Sequence, residues 1–176
     1  MTRLARRIYA WRGDRSGSAG IEMAVIGSIL VVAAMNAAEV GRYAFRSNEV
    51  GSATQAGAQA AYVACDPAHT PATTNCPNLT TAVTTAIQGT PLGAQVSLSG
   101  PITEGYYCLN DTNQLVYMAD VANRPADCSA VGQPTLRSVL YLQVRTTYPY
   151  HPMFPSLTLV GTFPQAITRT TWMRML

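Results

Sequence analysis

From Ala19 to Ala38 the chain runs through twenty positions whose only ionisable side chain is Glu22, with Ser28 and Asn36 the other conspicuous polar residues. At about 1.5 Å per residue a helix over this stretch covers roughly 30 Å, the thickness of a bilayer's hydrocarbon core, so the pattern predicts a transmembrane span over 19–38. Beyond it the periodicity stays helical while the residues change. Tyr43, Val50, Gly57 and Ala64 recur at intervals of seven, with Ala53 and Ala60 between them, which predicts a stripe of small apolar residues on a continuing helix. Glu39 with Arg42, and Arg46 with Glu49, have the i, i+3 spacing of ion pairs on the wet side. Cys65-Asp66-Pro67 ends the pattern, so a helix from Ala19 to Ala64 is roughly 69 Å long, half embedded and half stalk. Gly41, Gly51 and Gly57 each cost about 1 kcal/mol relative to alanine in a helix, and point to close approach of another backbone or to local bends.

The remainder, 65–176, reads mainly as strands and loops. Asn78 is an N-cap for a short helix carrying Leu79, Val83 and Ile87, closed by Gly89. Strands are predicted at 94–99, 106–109 and 115–118, the last two joined by the polar turn Asn110-Asp111-Thr112-Asn113. In Val139–Tyr148 the residues Leu140, Leu142, Val144 and Thr146 alternate with Tyr141, Gln143 and Arg145, which predicts one buried and one wet face. "SLTLVGTF" and "QAITRTTWMRML" are two further strand candidates. The expected fold class is α+β: a long N-terminal helix packed on a small antiparallel sheet domain.

Charge is unevenly placed. All twelve basic residues are arginine, and Arg3, Arg6, Arg7, Arg12 and Arg15 precede Gly17, which against Asp14 gives the leader a net charge of +4. Residues 18–176 hold seven arginines against eight carboxylates, a net of −1, and the seven are scattered. A nucleic-acid binder needs a basic face on its folded part, so no nucleic-acid partner is expected. Hydrophobic residues make up 48% of the chain and charged ones 12%, a balance that agrees with a membrane segment. The arginine-rich side resists translocation, which keeps the N-terminus in the cytoplasm and sends everything after Ala38 across.

Three readings fit the N-terminal segment: a secretory signal cut after Ala34, with Val32 and Ala34 at the −3 and −1 positions; an uncut signal anchor; and a precursor cut nearer the start. Only the third accounts for Glu22, since a carboxylate in lipid costs on the order of 3 kcal/mol at mid-membrane, less near its edge, and is usually there for a partner. A cut between Gly17 and Ser18 would make Ser18 a free α-amine and Glu22 the fifth residue of the new chain.

Here the sequence resembles a family. "RSGSAGIEMAVIGSIL" is similar to the start of TadE-like minor pilins, or pseudopilins, of the tight-adherence (Flp) subclass of type IV pili, which share a basic leader, a Gly, four small or apolar residues, a Glu and a hydrophobic helix. Met23 stands where members usually carry an aromatic. "EVGRYAFRSNEVGSATQAGAQAAYVA" resembles the post-membrane helix of these proteins, and "YLQVRTTYPYHPMFP" with the terminal "TRTTWMRML" loosely resembles their ending. The resemblance implies a 1–17 leader removed after Gly17 by a prepilin peptidase, a helix over 18–64, and a 65–176 domain in the periplasm. It also implies that Glu22 neutralises the Ser18 amine of an adjoining subunit during assembly. The implied partners are that peptidase, other pilin and pseudopilin subunits, the inner-membrane assembly platform and membrane lipid.

Cys65, Cys76, Cys108 and Cys128 all lie beyond the span, where an even number reads as disulfides. Of the three connectivities, Cys65 with Cys76 and Cys108 with Cys128 is preferred, because each bond would pin an irregular stretch next to regular structure. The spacings hold no C-x2-C or H-x3-H, so no metal is expected. His69 and His151 fall in proline-flanked loops without a local nucleophile or acid signature, and the chain has no G-x-S-x-G, no H-E-x-x-H and no phosphate-cradling glycine loop. No cofactor and no catalytic residue are expected. Pro149, Pro152 and Pro155 repeat with the period of polyproline II, which reads as an extended crossing between two strands rather than as a sticky contact surface. The functional expectation is a structural or assembly-priming subunit of a tight-adherence pilus. The alternative is a membrane-anchored or secreted adhesin or binding domain that never enters a filament.

Overall fold

The computed structural model describes residues 16–155 and 163–175. The leader up to Arg15 and all but the last residue of the "SLTLVGTF" strand candidate lie outside the described residues. The chain divides into two compact units, residues 1–42 with 152–163 and residues 43–151 with 164–176. One helix, α1, runs from Ser16 to Ala64, 49 residues without a proline. Its first part, up to Arg42, belongs to the first unit.

In the second unit a five-stranded antiparallel sheet is organised around its longest strand. The strands are β1 (Ser97–Leu98), β2 (Thr103–Leu109), β3 (Leu115–Ala119), β4 (Val139–Pro149) and β5 (Ala166–Arg174). β5 pairs with β4 from Tyr141 opposite Arg174 to Pro149 opposite Ala166 and fills one edge. The other edge is shared by β2, from Tyr107 opposite Val139 to Thr103 opposite Gln143, and by β1, opposite Thr146 and Thr147. β3 pairs with the free edge of β2. The alternation in β4 is as expected: Leu140, Leu142, Val144, Thr146 and Tyr148 are buried, and Arg145 is exposed. The β2–β3 turn closes because the Asn110 side-chain oxygen accepts from the backbone N–H groups of Thr112 (3.0 Å) and Gln114 (2.9 Å), while Asn113 adopts φ +56°, which asparagine tolerates.

The second half of α1 covers the face of β4 that carries Thr146. Its buried residues are Ser47, Val50, Ala53, Thr54, Gly57, Ala58 and Ala61, while Ala64 is exposed. The expected seven-residue stripe is therefore right at Val50, Ala53 and Gly57 and drifts off by Ala64. An α-helix turns every 3.6 residues, so a strict seven-residue repeat rotates about 20° per heptad out of the contact. Thr54 Oγ1 donates to the Val50 carbonyl at 2.6 Å, so in its 2.6 Å contact with Thr146 Oγ1 the Thr146 hydroxyl is the donor. Both polar groups are fully buried and satisfied.

Two short helices follow, α2 (Ala72–Asn75) and α3 (Leu79–Gln88). The helix expected after Asn78 forms with Leu79, Val83 and Ile87 buried, but Asn78 makes no side-chain cap; the N–H of Leu79, the first helical residue, donates to the Cys76 carbonyl at 3.1 Å. Gly89 ends the helix in a right-handed conformation. The strand expected at 94–99 shrinks to β1 because Gly93–Gln95 form a 3₁₀ turn entered at φ +57°. Gly57 shows why the helix carries glycine there: a Cβ would lie 2.8 Å from Ile87 Cγ1 and 3.3 Å from Val83 Cγ1, so α3 packs directly on the α1 backbone. Gly51 has open space where its Cβ would be.

Disulfides Cys65–Cys76 and Cys108–Cys128 join Cα atoms 5.7 Å apart in each case, the pairing expected from sequence. The first ties the end of α1 to the end of α2, the second ties β2 to the irregular stretch before β4. The proline-rich crossing after β4 begins by burying its aromatics. Tyr148 and Tyr150 are buried, the Tyr150 ring stands edge-on to Tyr43 at 5.2 Å, and the Tyr150 N–H donates to the Gln165 carbonyl at 2.8 Å.

Two glycine substitutions should separate packing from propensity. Gly57→Val is expected to destabilise by about 1–3 kcal/mol through overpacking against Ile87, and Gly51→Ala to stabilise by about 0.5–1 kcal/mol, both read as shifts in denaturant midpoint for the detergent-solubilised protein.

Candidate assembly and membrane site

The first half of α1 exposes what a soluble helix would hide. Ile21, Met23, Val25, Ile26, Ile29, Leu30 and Val31 are each more than half exposed. They point all round the helix, and its most apolar stretch has a mean hydropathy of 1.9. Left in water, each large apolar side chain forgoes about 1.5–3 kcal/mol of burial energy. By length and composition this helix can cross a membrane, and it is the one such helix among the described residues. Its polar side chains are adapted to that setting, where backbone and side-chain groups must be satisfied within the segment. Ser28 Oγ donates to the Val25 carbonyl and Asn36 Nδ2 to the Val32 carbonyl, each at 2.8 Å.

Gly17 and Ser18 fall in the first turns of α1 and Glu22 in the turn that follows. Residues 18 and 22 are separated by i, i+4 and so share one face of the helix. Glu22 itself is exposed. A chain end created at Ser18 would therefore lie one turn from this carboxylate and on its side of the helix.

The sequence reading missed a second feature of the same segment. Gly20, Ala24, Gly27, Val31, Ala34, Ala38 and Gly41 follow one another at alternating steps of four and three, the spacing of a seam along which two helices meet. None of the seven is buried, and a Cβ added at Gly20, Gly27 or Gly41 would meet nothing within 4 Å. Six of the seven are glycine or alanine, which lets a second backbone come close in lipid. The heptad spacing carried the signal, and it is hidden by the larger Ile, Val and Leu residues between.

Past the apolar stretch, Arg46 and Glu49 form the expected ion pair at 2.6 Å, and the hydrogen bond to Glu49 raises the Arg46 pKa. Glu39 corrects the expectation of a wet-side position. It is 1% exposed, and its Oε2 accepts the Met153 backbone N–H at 2.9 Å. An i, i+3 count registers a possible ion pair but not a loop arriving from 114 positions later in the chain. His69 and His151 are exposed, and among the described residues no three His, Cys, Asp or Glu gather as a metal site. A polar groove of about 500 Å³ lies between α1 and β5, lined by Ser47, Asn48, Ser52, Gln55, Arg169 and Thr171, and is bridged by a hydrogen bond from Arg169 to Ser47.

Ile26→Asp places a charge amid the exposed apolar side chains and should lower membrane insertion by about 3 kcal/mol. Carbonate extraction of membranes is expected to release this variant and to retain Ser28→Ala.

No family model, curated protein or solved structure matches this chain. The architecture is nevertheless pilin-like, of the type IV kind: a long N-terminal helix, apolar at its start, whose later turns pack on an antiparallel sheet.

Proposed function

We propose that the chain is a minor pilin or pseudopilin, a structural or assembly-priming subunit of a tight-adherence pilus. The observation that carries this reading is the start of α1, where one carboxylate stands among exposed apolar side chains, one turn from Ser18 and beside a seam of small residues. The precursor is held with its arginine leader in the cytoplasm and its 65–176 domain in the periplasm, and is cut after Gly17 by a prepilin peptidase. The new Ser18 amine of one subunit then meets Glu22 of a neighbour. Opposite charges attract far more strongly in a low-dielectric layer than in water, and leaving either alone there is expensive. The pair thus checks register while the small-residue seam supplies close helix packing. Other pilin subunits, the assembly platform and lipid are its partners; it carries out no chemistry of its own and needs no cofactor.

Mass spectrometry of the membrane-extracted chain should find Ser18 as its first residue. A start near Met35, or an intact Met1, contradicts the reading. Glu22→Ala should leave trimming and insertion intact yet reduce pilus formation on the order of a hundredfold, equivalent to about 3 kcal/mol for one unpaired charge. Wild-type piliation in that variant contradicts the pairing role.

A further inference from the structure

Glu39 follows directly on the apolar stretch, at the level where a helix spanning 19–38 leaves hydrocarbon. A carboxylate buried beside a lipid-facing surface is costly unless something both hydrogen-bonds and shields it. The Met153 N–H supplies the hydrogen bond, and Met153 belongs to the same compact unit as α1 up to Arg42. The connection between β4 and β5 is therefore fastened to the helix at its exit from the span. What it turns outward is apolar: Met153 is 59% exposed, Pro155 is exposed and Phe154 is partly so. The sequence holds no Asp, Glu, Lys, Arg or His from Pro152 to Thr168.

We infer that Pro152–Pro155 is a second lipid-contacting element, seated in the interfacial layer of the bilayer that α1 spans and tethered there by Glu39. This rests on the membrane-span part of the reading above, and not on trimming or pilus entry. The exposed methionine is held through its backbone at Glu39, where the apolar stretch of α1 ends, so lipid is the occupant that fits both. With no cation in the element, the contact depends on apolar burial and not on anionic headgroups or low salt. Its function is positional: two attachment points at one membrane level fix the rotation of α1 about its axis, where the span alone leaves it free.

The test uses the full chain in phosphatidylcholine nanodiscs. Because all four native cysteines are paired, single cysteines can be introduced at Met153, at Ala24 within the span and at exposed Thr112, each carrying a polarity-sensitive fluorophore. The expected result is quenching of the Ala24 probe by deep spin-labelled lipids and of the Met153 probe by shallow ones, unchanged by added salt, with no quenching at Thr112. Glu39→Ala should reduce quenching at Met153 to the Thr112 level and leave Ala24 unchanged. A Met153 probe as unquenched as Thr112 while Ala24 is quenched overturns the inference and leaves the span intact. A blue-shifted but unquenched Met153 probe identifies a protein neighbour there instead and also overturns it. Absence of quenching at Ala24 as well removes the span, and the inference with it.

Discussion

A helix with apolar side chains all round its first half is stable only where something other than water covers it. That requirement governs the molecule. The residues from Ile21 to Val31 have no amphipathic pattern that a folded domain could use, because one domain covers one face. Cover from every direction is what lipid provides, and what a ring of similar helices provides after lipid is left behind. In the proposed subunit role the small-residue seam and the carboxylate at the start of α1 would answer the same constraint, by favouring one arrangement of neighbours among the many that a uniformly apolar surface would accept.

The second half of the same helix obeys a different rule. From Val50 onward the buried residues advance by 3.6 and face the sheet through small side chains, so the α1 backbone comes close enough for Ile87 to sit over Gly57. Alanine and glycine bury little apolar area each, and the two disulfides compensate by limiting the unfolded chain around loops of 11 and 20 residues, worth about 3 kcal/mol each on the loop-entropy account. The Thr54–Thr146 contact adds direction to a contact of small residues that would otherwise tolerate sliding, because a displaced threonine would leave a buried hydroxyl unsatisfied.

Features set by local pattern were legible in the sequence. The long apolar run, the alternation of β4, the Asn110–Asn113 turn, the short helix at Leu79 and the disulfide pairing all follow from residues close together in the chain. What was hidden depends on distant partners. Glu39 reads as a solvated helix acid until the Met153 N–H arrives to donate a hydrogen bond to it. Asn78 has the right residue type for a cap, yet its side chain makes no cap hydrogen bond to the helix it precedes. The strand at 94–99 failed because Gly93 turns the chain just before it. Of the candidate site, Gly17, Ser18 and Glu22 are proposed from their spacing in the sequence, while the seam of small residues beside them is masked there by the bulkier residues that share its helix.

The central claim is that the first half of α1 is covered by lipid and then by neighbouring helices along one seam. Cysteine cross-linking scanned from Gly20 to Gly41 in assembled material tests it most directly. The account predicts cross-link maxima at Ala24, Ala34 and Ala38 with minima at the intervening large residues. Uniform cross-linking, or maxima centred on Ile21, Val25 and Ile29, would contradict it.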